Sequence, residues 1–206
     1  MRKGGFIKYS MMTLAGLAIS LAAAGQSVIV ESYSQKSYLN NMPTWAVKTN
    51  LLYDVTSTIN LGVEVGLAPN MTLDISGNYN PWTLSKGRKF RHWLIQPEYR
   101  YWLKSRFNGS FFGVHVHYAE YNINKIHMFS TANRRKQGNL YGLGVSFGHQ
   151  FRVAEKWSIE TTIGIGYAHF RYDQYDCSNC GRYIDTKHKN YFGPTKAGIS
   201  IIYLIK

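Results

Sequence analysis

Eight stretches of this sequence alternate residue by residue between an apolar side chain and a small or polar one. This period of two decides most of what the chain can become. The stretches run over 45–54, 60–67, 71–78, 90–103, 110–121, 140–151, 157–172 and 190–205. A period of two marks a strand with two unlike faces, whereas a helix would repeat every three to four residues. In 140–151, Tyr141, Leu143, Val145 and Phe147 alternate with Gly142, Gly144, Ser146 and Gly148. In 157–172, Ile159, Ile163 and Ile165 share a face, opposite Ser158, Glu160, Thr162 and Gly164. The second face is too small and too hydrophilic to fill an oily core. The pattern fits a barrel with an apolar outer wall around a polar interior.

The connections follow a rule of their own. Those at 68–70, 104–109 and 152–156 are short, and they alternate with connections at 55–59, 81–89, 122–139 and 173–189, three of which are long. Short turns at one end and long loops at the other are the habit of outer-membrane barrels. Aromatic residues gather near the strand ends (Trp45, Tyr53, Tyr79, Trp82, Trp93, Tyr101, Trp157, Tyr172, Tyr203), where a membrane interface would hold them. The expected fold is therefore all-β, an eight-stranded antiparallel up-and-down transmembrane β-barrel over 45–206. Eight strands enclose little beyond side chains, so a plugged interior is expected and not a pore.

Composition excludes the main competitors. Aromatics make up 15% of the 206 residues and charged residues only 17%, which is incompatible with intrinsic disorder. A helical membrane bundle needs repeated apolar runs of about 20 residues, and the one long run lies near the N-terminus. There, Arg2, Lys3 and Lys8 precede an apolar segment at 11–24 that ends in small residues. This is the pattern of a cleaved signal peptide over 1–25, with an uncleaved anchor as the alternative. No cysteine follows the run, so a lipoprotein is not expected. Residues 26–44 are polar and irregular and are read as a short periplasmic extension. The expected location is the outer membrane.

Several groups of residues are candidates for chemistry. Lys48, Glu64, Glu98 and Arg100 fall on the inward face by alternation, where unpaired charge is costly; a structural plug of ion pairs is expected. His115 and His117 point inward from one strand; two histidines on one face could hold a metal, but with no third ligand placed beside them they are read as satisfied interior histidines. Cys177 and Cys180 lie in the last long loop and read as a disulfide in an oxidising compartment. Free thiols, or a zinc site completed by Asp176 or His188, stay open as alternatives. With 24 Lys+Arg against 11 Asp+Glu, the formal net charge is +13. Much of that charge forms a basic rim at the long loops: Lys86, Arg88, Lys89, Arg134, Arg135, Lys136, Lys187 and Lys189. Such a rim suits the anionic phosphates of lipopolysaccharide or a surface glycan, or is simply solvated. Lys196, Gly198, Ile201 and Tyr203 have the polar, glycine, hydrophobic and aromatic order of a barrel-assembly signal, although the chain continues to Lys206.

Two stretches carry a resemblance. The first is Lys48-Thr49-Asn50-Leu51-Leu52-Tyr53-Asp54 with Asn60-Leu61-Gly62-Val63-Glu64. The second runs from Tyr79-Asn80-Pro81-Trp82 through Arg91-His92-Trp93-Leu94-Ile95-Gln96-Pro97-Glu98-Tyr99-Arg100-Tyr101-Trp102. On these motifs the chain resembles small outer-membrane β-barrels of Bacteroidota catalogued as a domain of unknown function. The resemblance implies an eight-stranded barrel, often encoded near fimbrial or adhesin genes, with no established enzymatic activity. The expected function is accordingly non-enzymatic: a structural, adhesive or fimbria-associated surface-assembly role for a monomer without cofactor. Its expected partners are outer-membrane lipid and lipopolysaccharide, the barrel-assembly machinery and fimbrial or other surface proteins, with no nucleic acid. The alternatives are a membrane-embedded lipid A-modifying acyl hydrolase and a secreted soluble lipid-binding barrel.

Overall fold

The computed structural model describes residues 42–84, 88–124, 135–175 and 183–206. Eight strands dominate it: β1 (Trp45–Asn50), β2 (Ile59–Ala68), β3 (Met71–Asn80), β4 (Arg88–Trp102), β5 (Gly109–Asn124), β6 (Arg135–Arg152), β7 (Trp157–Tyr175) and β8 (Tyr183–Ile205). A five-residue helix, α1 (Leu51–Val55), follows β1, and Thr83–Leu84 adds a two-residue pairing to the start of β4. Each strand pairs antiparallel with the next in sequence, and β1 pairs antiparallel with β8. The sheet therefore closes on itself as an eight-stranded up-and-down barrel with no edge at its lower end, and closure removes the unpaired edges of an open sheet.

The closure is strongly staggered. The ladder runs from Ala46 through Glu64, Asp74, Glu98, His115, Gly144 and Gly166 to Gly193, yet Ala46 itself pairs with Leu204, an offset of eleven residues along β8. One residue of the offset is Thr195, the extra residue of a bulge opposite Gly164 and Ile165. Such an offset tilts every strand against the barrel axis, and residues far apart in sequence come to share one level of the lumen.

The two faces sort as the alternation requires. Lys48, Glu64, Asp74, Glu98, Arg100, His115, His117, Gln150 and Glu160 are buried inside, while Leu61, Ile75, Val114, Leu143, Val145, Ile163 and Ile199 are exposed outside. Leu143 and Ile163 are about 60% exposed while Glu98 and Arg100 are wholly buried, the reverse of an ordinary globular protein. The lower end of the lumen is the exception, closed by Ala46, Trp102, Phe107, Phe111, Ile202 and Leu204. Phe107 reaches this plug from the β4–β5 turn in a left-handed conformation (φ 61°). That backbone geometry costs of order 1–3 kcal/mol for a non-glycine residue, and full burial of the ring against Trp102 offsets it.

Two boundaries differ from the sequence expectation. The first strand stops at Asn50, because the Asn50 side chain accepts a hydrogen bond from the Leu52 N–H (3.1 Å) and caps α1. The Asn50 amide also binds the Ala197 carbonyl and the Ile199 N–H of β8, at 3.1 and 3.2 Å. Residues 51–54 therefore turn away from the wall they were expected to extend. At the same end, β5 to β8 continue well into the segments expected to be loops. The wall is lopsided: β1 ends where Asn50 meets Ser200, whereas β7 and β8 go on pairing as far as Tyr175 and Tyr183. This tall side is the crown of the barrel.

Candidate functional site

Alternation sets which residues point inward, and the stagger decides which of them meet. Seven charged side chains converge above the aromatic plug. The Arg100 guanidinium contacts Glu98 (2.7 Å), Glu64 (2.8 Å), Glu160 (2.8 Å) and Asp74 (3.1 Å). Lys48 Nζ lies 2.6 Å from Glu64 and 3.2 Å from Asp74. Lys196 Nζ lies 2.6 Å from Glu98 and 3.5 Å from Asp74. Three cations thus face four carboxylates. Hydroxyl donors help with the excess: Thr72 donates to Glu64, and Thr162 donates to Glu160 at 2.8 Å. The Trp102 indole N–H donates to the Thr72 oxygen at 2.8 Å, and Arg100 stacks 4.3 Å above the Phe111 ring. The plug and the ionic layer are therefore one connected structure.

The expected quartet of Lys48, Glu64, Glu98 and Arg100 is part of this cluster. Asp74, Glu160 and Lys196 complete it and were not grouped with it in the sequence reading. Asp74 and Glu160 stand on the same alternating faces, which was the available signal. Lys196, read as part of an assembly signal, has its ammonium in the cluster. The remaining residues of that signal lie along β8: Gly198 packs against the Asn50 side chain, Ile201 faces outward, and Tyr203 stacks on Trp157 with ring centres 5.0 Å apart.

His115 and His117 occupy the lumen beside the charges, with ring centres 5.8 Å apart. His115 Nε2 lies 3.0 Å from Thr195 Oγ1, and its Nδ1 is 3.7 Å from Glu98. His115 Nδ1, His117 Nδ1 and both polar atoms of the Gln150 side chain have no hydrogen-bond partner among the described residues, so the two histidines are not the fully satisfied pair expected. Glycines make room for both rings. His115 pairs with Gly144 and His117 with Gly142, and a Cβ at Gly144 would stand 2.6 Å from His115 Nε2.

Above the charges the lumen opens into a cavity of about 570 Å³ at the foot of the crown, lined among others by Asn80, His92, Tyr121, Gly138 and Tyr172. A second space of about 30 Å³ lies within the charged layer beside Tyr53, room for one water molecule. Tyr53 belongs to α1, outside the wall, and burial raises the pKa of its phenol, keeping it neutral. Part of the basic rim sits on strands, contrary to the expected loops. Arg88 and Lys89 lie on β4, Arg135 and Lys136 on β6, and Lys187 and Lys189 on β8. Lys136 Nζ lies 5.4 Å from the Tyr172 ring centre, and the Arg135 guanidinium 5.5 Å from that of Tyr175. Lys187 and Lys189 pair with Tyr172 and Phe170. Lys86, Arg134, Cys177 and Cys180 lie outside the described residues, as do the expected signal peptide and almost all of the N-terminal extension.

Among the described residues, no group of three or more His, Cys, Asp or Glu side chains is arranged to hold a metal. One hydroxyl–imidazole pair stands on the wall near its lower end: Ser110 Oγ is 2.8 Å from His149 Nδ1. In a serine-hydrolase triad the imidazole meets the serine through Nε2 and keeps Nδ1 for the acid; here Nδ1 is taken by the serine.

The fold and site together define a closed antiparallel β-barrel with an apolar outside and an ion-paired, aromatic-plugged inside. Within that class the chain belongs to the family described as a protein of unknown function, DUF3575, which matches residues 17–205. No curated protein and no solved structure matches the chain.

Proposed function

We propose that this protein is a non-enzymatic outer-membrane barrel, delivered by a cleaved signal peptide, that spans the membrane as a solid post and presents its crown at the cell surface. The observation that carries the reading is the outer wall. On β7 the outward residues from Trp157 to Tyr167 are Ile159, Thr161, Ile163 and Ile165, with no charge among them, and His169, Arg171 and Asp173 follow directly. The ten steps from Trp157 to Tyr167, at about 3.3 Å each and tilted by about 40°, rise about 25 Å, the height of the apolar band of such barrels. Aromatic rings bound the belt on both sides. Trp157 and Tyr203 stack below, with Tyr101 and Phe112 paired nearby; Tyr79 pairs with Trp93, Trp93 packs on Tyr118, and Tyr118 pairs with Tyr141 above.

The surface role follows from what the lumen does not offer. A seven-charge cluster over a ring of packed aromatics leaves no passage for solute, and the carboxylates of that cluster are all engaged. Function then rests with the crown, whose basic strands and polar mouth suit anionic lipopolysaccharide or surface glycan, in a structural, adhesive or fimbria-associated role. Lys196, Gly198, Ile201 and Tyr203 on β8 would be read by the assembly machinery. Expression of the full chain followed by membrane fractionation tests the reading. The protein is expected in the outer-membrane fraction, and its gel migration is expected to change on boiling, because a closed barrel resists detergent until heated. A soluble periplasmic product with unchanged migration would favour the lipid-binding alternative.

A further inference from the structure

His169 and His188 stand on the crown just above the apolar belt, at diagonal positions of the β7–β8 ladder, where His169 pairs with Asn190 and Arg171 pairs with His188. His169 Nε2 lies 3.3 Å from His188 Nδ1. We propose that these two imidazoles form a surface clamp for a single divalent transition-metal ion of the imidazole-preferring kind, zinc, copper or nickel.

The geometry supports this in two independent ways. First, two nitrogens each about 2.0–2.1 Å from a tetrahedral zinc ion lie about 3.3–3.4 Å apart, which is the separation of these two ring atoms. Second, His169 is already oriented as a ligand. Its Nδ1 lies 2.8 Å from Asn190 Oδ1, an atom that only accepts, so Nδ1 carries the proton and donates it. The Tyr167 hydroxyl donates to the same oxygen at 2.9 Å. With Nδ1–H committed, Nε2 keeps its lone pair and turns it toward His188. A metal-bound histidine is held in this way, by an outer partner on its second nitrogen. In the metal-free protein the His188 Nδ1–H donates to His169 Nε2; metal binding requires that His188 carry its proton on Nε2 instead and that both rings tilt so that their lone pairs converge on an ion beside the line between the two nitrogens. Ring stacking restrains both side chains: Tyr141 lies 5.3 Å from the His169 ring, and the two imidazoles lie 5.5 Å apart. The site opens to solvent, so water completes the coordination.

This inference does not depend on the lipopolysaccharide-binding half of the proposed function. It differs from the zinc alternative raised for Cys177 and Cys180, because both of its ligands are imidazoles. The test is titration of the tag-free, detergent-purified full barrel with zinc chloride by calorimetry, and with copper sulfate by electron paramagnetic resonance. One equivalent is expected to bind, with two nitrogen couplings on copper. His169→Ala and His188→Ala should each weaken binding more than tenfold. Asn190→Ala should weaken it about tenfold, the loss usual for an outer partner of a ligating histidine, with folding checked by heat-modifiable migration. The His115→Ala/His117→Ala and Cys177→Ser/Cys180→Ser variants should bind as wild type does. The clamp is refuted by absence of binding to wild type, by unchanged binding in both single histidine variants, or by loss of binding in the cysteine variant alone.

Discussion

Arg100 on β4 and Glu160 on β7 meet across the lumen as a two-pronged pair, Nη1 to Oε2 at 2.8 Å and Nη2 to Oε1 at 3.1 Å. Two strands separate β4 from β7 on the shorter way round the wall, so this pair ties opposite walls together. The planar fork of arginine suits such bidentate contacts, and lysine cannot reproduce them. Arg100→Ala would leave four buried carboxylates facing only Lys48 and Lys196. Removing one partner of a buried ion pair costs of order 3–5 kcal/mol, and that loss is expected in urea unfolding of the barrel in lipid vesicles. Arg100→Lys should recover only a minor part. Unfolding of Arg100→Ala at the wild-type midpoint would mean that the cluster does not hold the barrel together.

Glu98 gives a sharper form of the same experiment. It contacts both Arg100 and Lys196, and Glu98→Ala takes the 2.6 Å partner from Lys196 and leaves it Asp74 at 3.5 Å, while Arg100 keeps three carboxylates. Glu98→Ala combined with Lys196→Met removes a charge of each sign and is expected to cost less than Glu98→Ala alone. Equal losses in the single and double variants would show that the pairing of Glu98 with Lys196 does not govern this layer.

The sequence made some of this layer legible and hid the rest, for identifiable reasons. Period-two alternation assigns a residue to a face, and so the inward placement of Lys48, Glu64, Glu98 and Arg100 was readable. Which inward residues touch depends on the stagger, and the offset between Gly193 and Leu204 is a property of closure that no single strand encodes. Asp74 and Glu160 joined the cluster for that reason. The tall crown was illegible because the apolar face changes sides above the belt: Ala119 and Ile123 on β5 and Ala168 on β7 are buried inside, and Glu120, Asn122, His169 and Arg171 alternate with them on the outward face. The helix α1 was hidden by Leu51 and Tyr53, which continue the apolar alternation of β1 for two more positions while Asn50 caps a turn.

The paired His115 and Gly144 predict a steric effect. A side chain at position 144 would meet the His115 ring and also the Ile165 carbonyl, both at 2.6 Å. Gly144→Val should therefore destabilise the barrel by about 1–3 kcal/mol, the usual cost of overpacking. His115→Ala should relieve part of that loss and leave the clash with the backbone. The urea midpoints of the two single variants and the double variant measure it; strictly additive losses would mean that the ring and the glycine are not coupled.

The aromatic plug predicts electrical silence. Trp102, Phe107 and Phe111 pack with ring centres 4.8–6.1 Å apart beneath the charged layer. The purified barrel in a planar lipid bilayer is expected to show no unitary conductance at any holding potential that the bilayer withstands. Discrete conductance steps from wild type would place a continuous water path through a layer that the packing closes.

The final prediction concerns the crown. Lys136 packs over Tyr172, and Lys187 and Lys189 pair with Tyr172 and Phe170, so all three residues lie on paired strands. Exposed charges of this kind attract phosphate groups at long range, and salt screens them over about 8 Å at physiological ionic strength. Binding of the purified barrel to lipopolysaccharide is therefore expected to fall as sodium chloride rises. Replacing Lys136, Lys187 and Lys189 together by Gln should weaken that binding and flatten its dependence on salt. Heat-modifiable migration should stay unchanged, because Lys187 and Lys189 are exposed and none of the three belongs to the charged layer. Retention that is equal in wild type and triple variant, and indifferent to salt, would remove the crown lysines from any role in anion recognition and leave the barrel's surface function to its uncharged polar residues.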